Sequence, residues 1–273
     1  MRSRLSAKLS LPSCSREEAG QPADGTLQGM SHAHRPSTPP ASAPAPEPFH
    51  RAVPGRPAVR GFLHRPASPA RDGLVLTHGA GGNSSAKLLV ALGVALAEAG
   101  LSVLRCDLPY RQERPKGPPF PSGAARDREG LRQAVSELRS ILPGRVYLGG
   151  QSYGGRQASM LVAEEPGLAD GLLLVSYPLH PPGRAKELRT AHFPALRAPT
   201  VFAHGSQDPF GSIEELETAR ASIPGPTTLV AIEGAGHGLG RGTRAPVPAP
   251  ETIARVVDAF LSLVTREAVR HRP

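Results

Sequence analysis

From about residue 58 onward, short apolar runs alternate with stretches of helical period, and this alternation is the signature of an open, mostly parallel sheet with helices on both faces. The runs at 58–64, 73–77, 102–106, 145–148, 171–176, 200–203 and 227–232 read as strands, about seven in all. Between them, helical spacing covers 86–98, 124–141, 154–164, 213–221 and 251–267. In the last of these, Ile253, Val256, Val257, Phe260, Leu261 and Val264 recur at intervals of three and four, so one face packs on the sheet. The expected fold class is therefore α/β, doubly wound through right-handed crossovers.

Residues 1–55 behave differently. Pro36, Pro39, Pro40, Pro44, Pro46, Pro48 and Pro54 stand among Ser, Ala and Gly with no period of 2 or 3.6, and such a stretch buries too little surface to offset its ordering entropy. The expected organisation is a disordered tail over 1–55 and one domain over 56–273. The opening residues lack the apolar centre of a secretory leader, and Met30 is an alternative start. Only two cysteines, Cys14 and Cys106, are present, too few for a disulfide framework. No run approaches the roughly 18 apolar residues of a membrane span. The net charge of +9 comes mostly from scattered Arg. With no basic block and few aromatics for stacking, neither nucleic acid nor a membrane is the expected partner, and a cytoplasmic location follows as an expectation.

The most informative stretch is Arg145-Val-Tyr-Leu-Gly-Gly-Gln-Ser-Tyr-Gly-Gly-Arg156, which contains Gly150-x-Ser152-x-Gly154. An apolar run precedes it and a helical period follows, the strand–turn–helix context of a nucleophile elbow. Glycine is required on both sides because the turn brings backbone close to a strained Ser152.

A serine hydroxyl needs a base within hydrogen-bond reach and an acid to orient that base. In this context the chain order is Ser, acid, His. Asp208 follows the run at 200–203, and His237 lies in a glycine-flanked loop between the last strand and the last helix. Asp107 is the alternative acid, though it precedes the nucleophile. His78 and His204 end strands and are expected to bond backbone; His180 and His192 fall in the connection after Ser176. No histidine pair has metal-ligand spacing with an acidic partner, so neither a metal nor a cofactor is expected. The stretch His78-Gly-Ala-Gly-Gly82 ends a strand and offers the N–H of Ala80 for a developing oxyanion, with the N–H of Tyr153 as second donor. It fits neither dinucleotide nor Walker phosphate loops.

With His78-Gly79, Gly150-Gln-Ser152-Tyr-Gly154, Asp208 and His237 in this order, residues 58–268 resemble the α/β-hydrolase superfamily. The small lid-less group near the dienelactone hydrolases is the most similar. The elbow GGQSYGGR, Leu-Pro-Tyr-Arg at 108–111 and His-Gly-Ser-Gln-Asp-Pro-Phe-Gly at 204–211 are similar to a branch with a testis-expressed animal relative and a chromatin-acetylation-complex subunit. The resemblance implies a serine hydrolase acting on a small acyl substrate. It also implies an alternative, a hydrolase-fold scaffold with little turnover. Dienelactone hydrolases carry Cys where this chain has Ser152, so their substrate does not carry over. The connection from Ser176 to Val201, about 24 residues, is too short for a cap domain. A shallow pocket is therefore expected, with Tyr110, Tyr177 and His180 as its lining candidates. Nothing in the sequence sets an oligomeric state.

Overall fold

The computed structural model describes residues 43–242 and 248–270. Eight strands form one sheet: β1 (Glu47–Arg51), β2 (Val59–His64), β3 (Gly73–Thr77), β4 (Ser102–Cys106), β5 (Val146–Gln151), β6 (Leu172–Val175), β7 (Thr200–Gly205) and β8 (Thr227–Ile232). Six α-helices accompany them: α1 (Lys87–Glu98), α2 (Pro109–Glu113), α3 (Ala124–Ile141), α4 (Tyr153–Glu164), α5 (Ile213–Arg220) and α6 (Pro250–Arg270). The strand order is β1-β2-β4-β3-β5-β6-β7-β8. β1 and β2 run antiparallel to their neighbours, and every pairing from β4 to β8 is parallel.

Two buried layers sandwich the sheet. On one face Leu88, Leu89, Leu92 and Leu96 of α1 join Val256 and Phe260 of α6 over Leu74, Leu76 and Leu173. On the other, Leu131 and Leu138 of α3 and Leu161 of α4 cover Val75, Leu104 and Leu148. The central strands β3 and β4 are buried at every residue, as strands covered on both faces are, and the buried Arg105 of β4 donates to His64 Nε2 and Ser84 O. Among the described residues, no helix is long and apolar enough to cross a membrane.

Three features depart from expectation. The sheet begins at β1, inside the stretch expected to be tail. This edge strand hides one residue, Phe49, among exposed neighbours. Burying a single Phe contributes about 1.5–3 kcal/mol, and so weak an apolar pattern leaves no period to read. α2 is only five residues and starts on Pro109, again below what periodicity detects. β5 continues two glycines further, to Gln151, because its partners supply bonds where side chains give no signal. The first 42 residues, with Cys14 and the Met30 start, lie outside the described residues.

Candidate active site

β5 passes into α4 through Ser152, whose φ of 51° and ψ of −117° lie where a non-glycine residue is strained by about 1–3 kcal/mol. Its N–H donates to Val175 O of β6 at 2.8 Å. A Cβ on Gly150 would stand 2.8 Å from Gly155 N, and one on Gly154 would stand 2.5 Å from His78 O. The turn therefore closes only with glycine on either side.

Two other loop segments reach Ser152 from the carboxyl edge of the sheet. Asp208, in the loop after β7, and His237, in the loop after β8, meet through His237 Nδ1 and Asp208 Oδ2 at 2.7 Å. On the far side of the ring, His237 Nε2 is 2.8 Å from Ser152 Oγ. A carboxylate oxygen only accepts, so Nδ1 carries the proton and the Nε2 lone pair faces the serine O–H. The Asp208 side chain has no exposed surface, and its Oδ1 accepts from Phe210 N–H at 2.9 Å. The Phe210 ring covers the imidazole, with centroids 4.4 Å apart. His204 lies behind Asp208 and donates from Nε2 to Gly211 O at 2.9 Å. Burial holds its pKa below the ordinary value, so it stays neutral and brings no second cation to the carboxylate. Asp107, the alternative acid, is occupied elsewhere: Oδ1 accepts Ser84 N–H at 2.7 Å, and Arg60 approaches Oδ2.

The loop after β3 is held from beneath. His78 accepts Leu108 N–H at Nε2, so its other nitrogen, Nδ1, carries the proton and donates to Gly79 O at 2.9 Å. Tyr110 Oη shares its one O–H between Gly79 O at 3.2 Å and Ala80 O at 2.9 Å. Because the peptide is planar and trans, drawing Gly79 O to that side turns the Ala80 N–H the opposite way, and Ala80 borders the cavity that holds Ser152. Tyr153 opens α4, so its N–H is one of the helix's free N-terminal donors. Asp127, fully buried on α3, fixes this residue by accepting Tyr153 Oη at 2.7 Å and Tyr110 N–H at 3.1 Å.

Arg111 completes the clamp. Its Nε donates to Gly82 O at 2.7 Å, and its terminal nitrogens donate to Ala80 O at 3.1 Å, Gly117 O at 3.0 Å and Arg114 O at 3.1 Å. Replacing it by Met keeps the aliphatic stem and removes all four bonds. We expect Arg111→Met to cost about 3 kcal/mol, seen as a Tm roughly 10 °C lower in thermal unfolding.

A cavity of about 570 Å³ opens beside Ser152. None of the three expected lining residues borders it. Tyr110 is turned under the loop after β3. Tyr177 is buried against Phe193 and Phe202, with Oη donating to Arg189 O at 2.7 Å. His180 rests on the start of α5, where Nε2 meets Glu215 at 3.3 Å; that carboxylate also accepts Ser212 N–H in the helix cap. Each polar ring end found a backbone or capping partner, which loop position alone does not reveal. The cavity wall is instead Pro118–Pro121, between α2 and α3, with Arg156 and Met160 of α4, Arg189 and Phe210. A spacing signal existed for Arg156 and Met160, which fall four and eight residues after Ser152 on one helical face. No such signal marked the proline segment.

A sheet of this order, with a strained serine between its fifth strand and the helix that follows and, among the described residues, no cap domain, defines the α/β-hydrolase architecture. The chain belongs to the alpha/beta hydrolase family, whose domain profile matches residues 70–265. Solved structures agree on the fold. Dienelactone hydrolase from Anabaena variabilis is 22% identical, with a TM-score of 0.61 over 81% of this chain and 98% of that one. Est1E from Butyrivibrio proteoclasticus is 16% identical, with a TM-score of 0.62 over 82% and 100%. XC6422 from Xanthomonas campestris, described as a serine hydrolase without lid, is 15% identical, with a TM-score of 0.57 over 81% and 94%.

Proposed function

We propose that the protein is a serine hydrolase of carboxylester type, cleaving a small ester or thioester through an acyl-enzyme. The observation that carries this reading is the unbroken line from Ser152 Oγ through His237 to the buried Asp208, at 2.8 and 2.7 Å. In the proposed reaction, Ser152 Oγ bonds to the acyl carbon as His237 Nε2 takes its proton. The carbonyl oxygen becomes an oxyanion between the N–H groups of Ala80 and Tyr153, each donor of this kind supplying about 2.7–4 kcal/mol. Collapse expels the alcohol or thiol, which receives the proton from His237. Water, deprotonated by the same nitrogen, then releases the acid and restores Ser152. Asp208 holds the ring tautomer and balances the imidazolium without taking the proton. No step calls on a metal or cofactor.

XC6422, the serine hydrolase without lid, is in keeping with this reading, as is a cavity volume within the range of small-molecule sites. A fluorophosphonate probe tests it directly, because labelling needs nucleophile, base and oxyanion donors together. The expected result is one adduct, mapped to Ser152 by peptide mass, together with hydrolysis of short p-nitrophenyl esters. Protein that takes no label and turns over no ester refutes the proposal.

A further inference from the structure

The cavity beside Ser152 carries charge of one sign. Arg128, Arg156 and Arg189 border it, and among the described residues no acidic one does. Arg128 is neutralised, with Nε 3.1 Å from Glu164 and a terminal nitrogen donating to Gln157 Oε1 at 3.0 Å. Among the described residues, neither Arg156 nor Arg189 has a carboxylate in ion-pair contact or a side-chain hydrogen bond. Arg156 Nε is cut off from solvent with no acceptor. Gln157 is fully buried; its oxygen accepts from Arg128, which fixes the amide's orientation, and its Nε2 has no acceptor. Unpaired donors in a half-closed site are costly to fold around unless a ligand completes them.

The two cations are near enough to feel each other. Burial first, and then Arg156, pushes the Arg189 pKa down. Burial and the same Arg156 charge take the His192 pKa to about 4, so that ring is neutral and adds no third positive charge. Both arginines stand on firm backbone. Arg156 N–H bonds Ser152 O at 2.9 Å, one helical turn from the serine. Arg189 is pinned through its N–H to Leu179 O at 2.8 Å and through its carbonyl to Tyr177 Oη. Met160 and Pro118 supply apolar surface for the carbon chain between the reacting centre and the cations.

The geometry points to an anion subsite formed by Arg156, Arg189 and the Gln157 amide, so that the substrate is an ester or thioester bearing a carboxylate or similar anionic group near the scissile bond. For the reaction it rests on the serine-hydrolase reading; for binding it does not.

Titration calorimetry on the Ser152→Ala protein separates the two. Three esters serve as probes: monoethyl glutarate has its carboxylate on the acyl side, 4-acetoxybutanoate on the alcohol side, and ethyl valerate is neutral. At least one charged ester is expected to bind about tenfold or more tighter than the neutral one. Adding Arg156→Gln or Arg189→Gln, in protein with unchanged circular dichroism, should cut that preference about fivefold or more. Equal or weaker binding of both charged esters, no detectable binding of any, or a preference untouched by either arginine change overturns the subsite. If wild-type Ser152 takes the fluorophosphonate while the preference is missing, only the subsite falls. If the preference holds and Ser152 stays unlabelled, only the hydrolase reading falls.

Discussion

Changing Ser152 to alanine is expected to lower kcat/KM on p-nitrophenyl acetate on the order of 10⁵-fold, leaving only the residual rate that donors and binding supply without a nucleophile. Thermal unfolding should move the other way or hardly at all. The hydroxyl's bond to His237 Nε2 is only part-buried, and the left-handed backbone is enforced by Gly150, Gly154 and the bond to Val175 O rather than by the side chain. Steady-state kinetics and a melting curve on the same preparation check both halves. Retained turnover in Ser152→Ala would assign the chemistry to another group.

The second large effect is expected at Asp208. Asp208→Asn keeps size and burial but places an amide where a carboxylate accepts from both His237 Nδ1 and Phe210 N–H. An amide that presents its N–H₂ to the ring favours the tautomer with the proton on Nε2, and that nitrogen then cannot take the proton of Ser152. The loss in kcat should be on the order of 10⁴-fold, with KM changed little, because Asp208 does not border the cavity. A drop of tenfold or less would show that another acceptor orients the imidazole.

Residues that act through covalent pattern were the readable ones. Gly150, Ser152 and Gly154 sit in a five-residue frame between an apolar run and a helical period, and Asp208 and His237 each follow a strand in the required chain order. What periodicity could not convey was where polar side chains turn. Tyr110 on the short α2 and Tyr177 and His180 on loops stand near the active edge, yet each ring bonds to backbone or to a helix cap. The Leu-Pro-Tyr-Arg stretch therefore works as a clamp on the loop after β3, with Arg111 making more bonds than Tyr110.

The glycines divide the same way. Those of the elbow meet backbone at 2.5–2.9 Å in place of a Cβ. Gly81, Gly236 and Gly238 have open space there, and in the loop before His237 only Gly234 has a left-handed φ, 70°, so close approach does not explain the glycines flanking His237. At the amino end, the reading of 1–55 as tail gave way at Glu47 because an edge strand with one buried ring is held by ladder bonds, which leave no hydropathy pattern.

The sequence distances across the site carry a consequence for folding. Ser152 and His237 are 85 positions apart and His237 and Asp208 are 29 apart, and each arrives on a different strand of a parallel sheet. Parallel pairing closes long loops and is slow, and the N–H of the strained serine has no acceptor until β6 supplies Val175 O. A fragment that ends before β8 lacks His237, the base that faces this serine. The serine's reactivity toward an electrophile is therefore a clock for completion of the whole sheet, and pulse labelling during refolding would time the last strand rather than the first collapse.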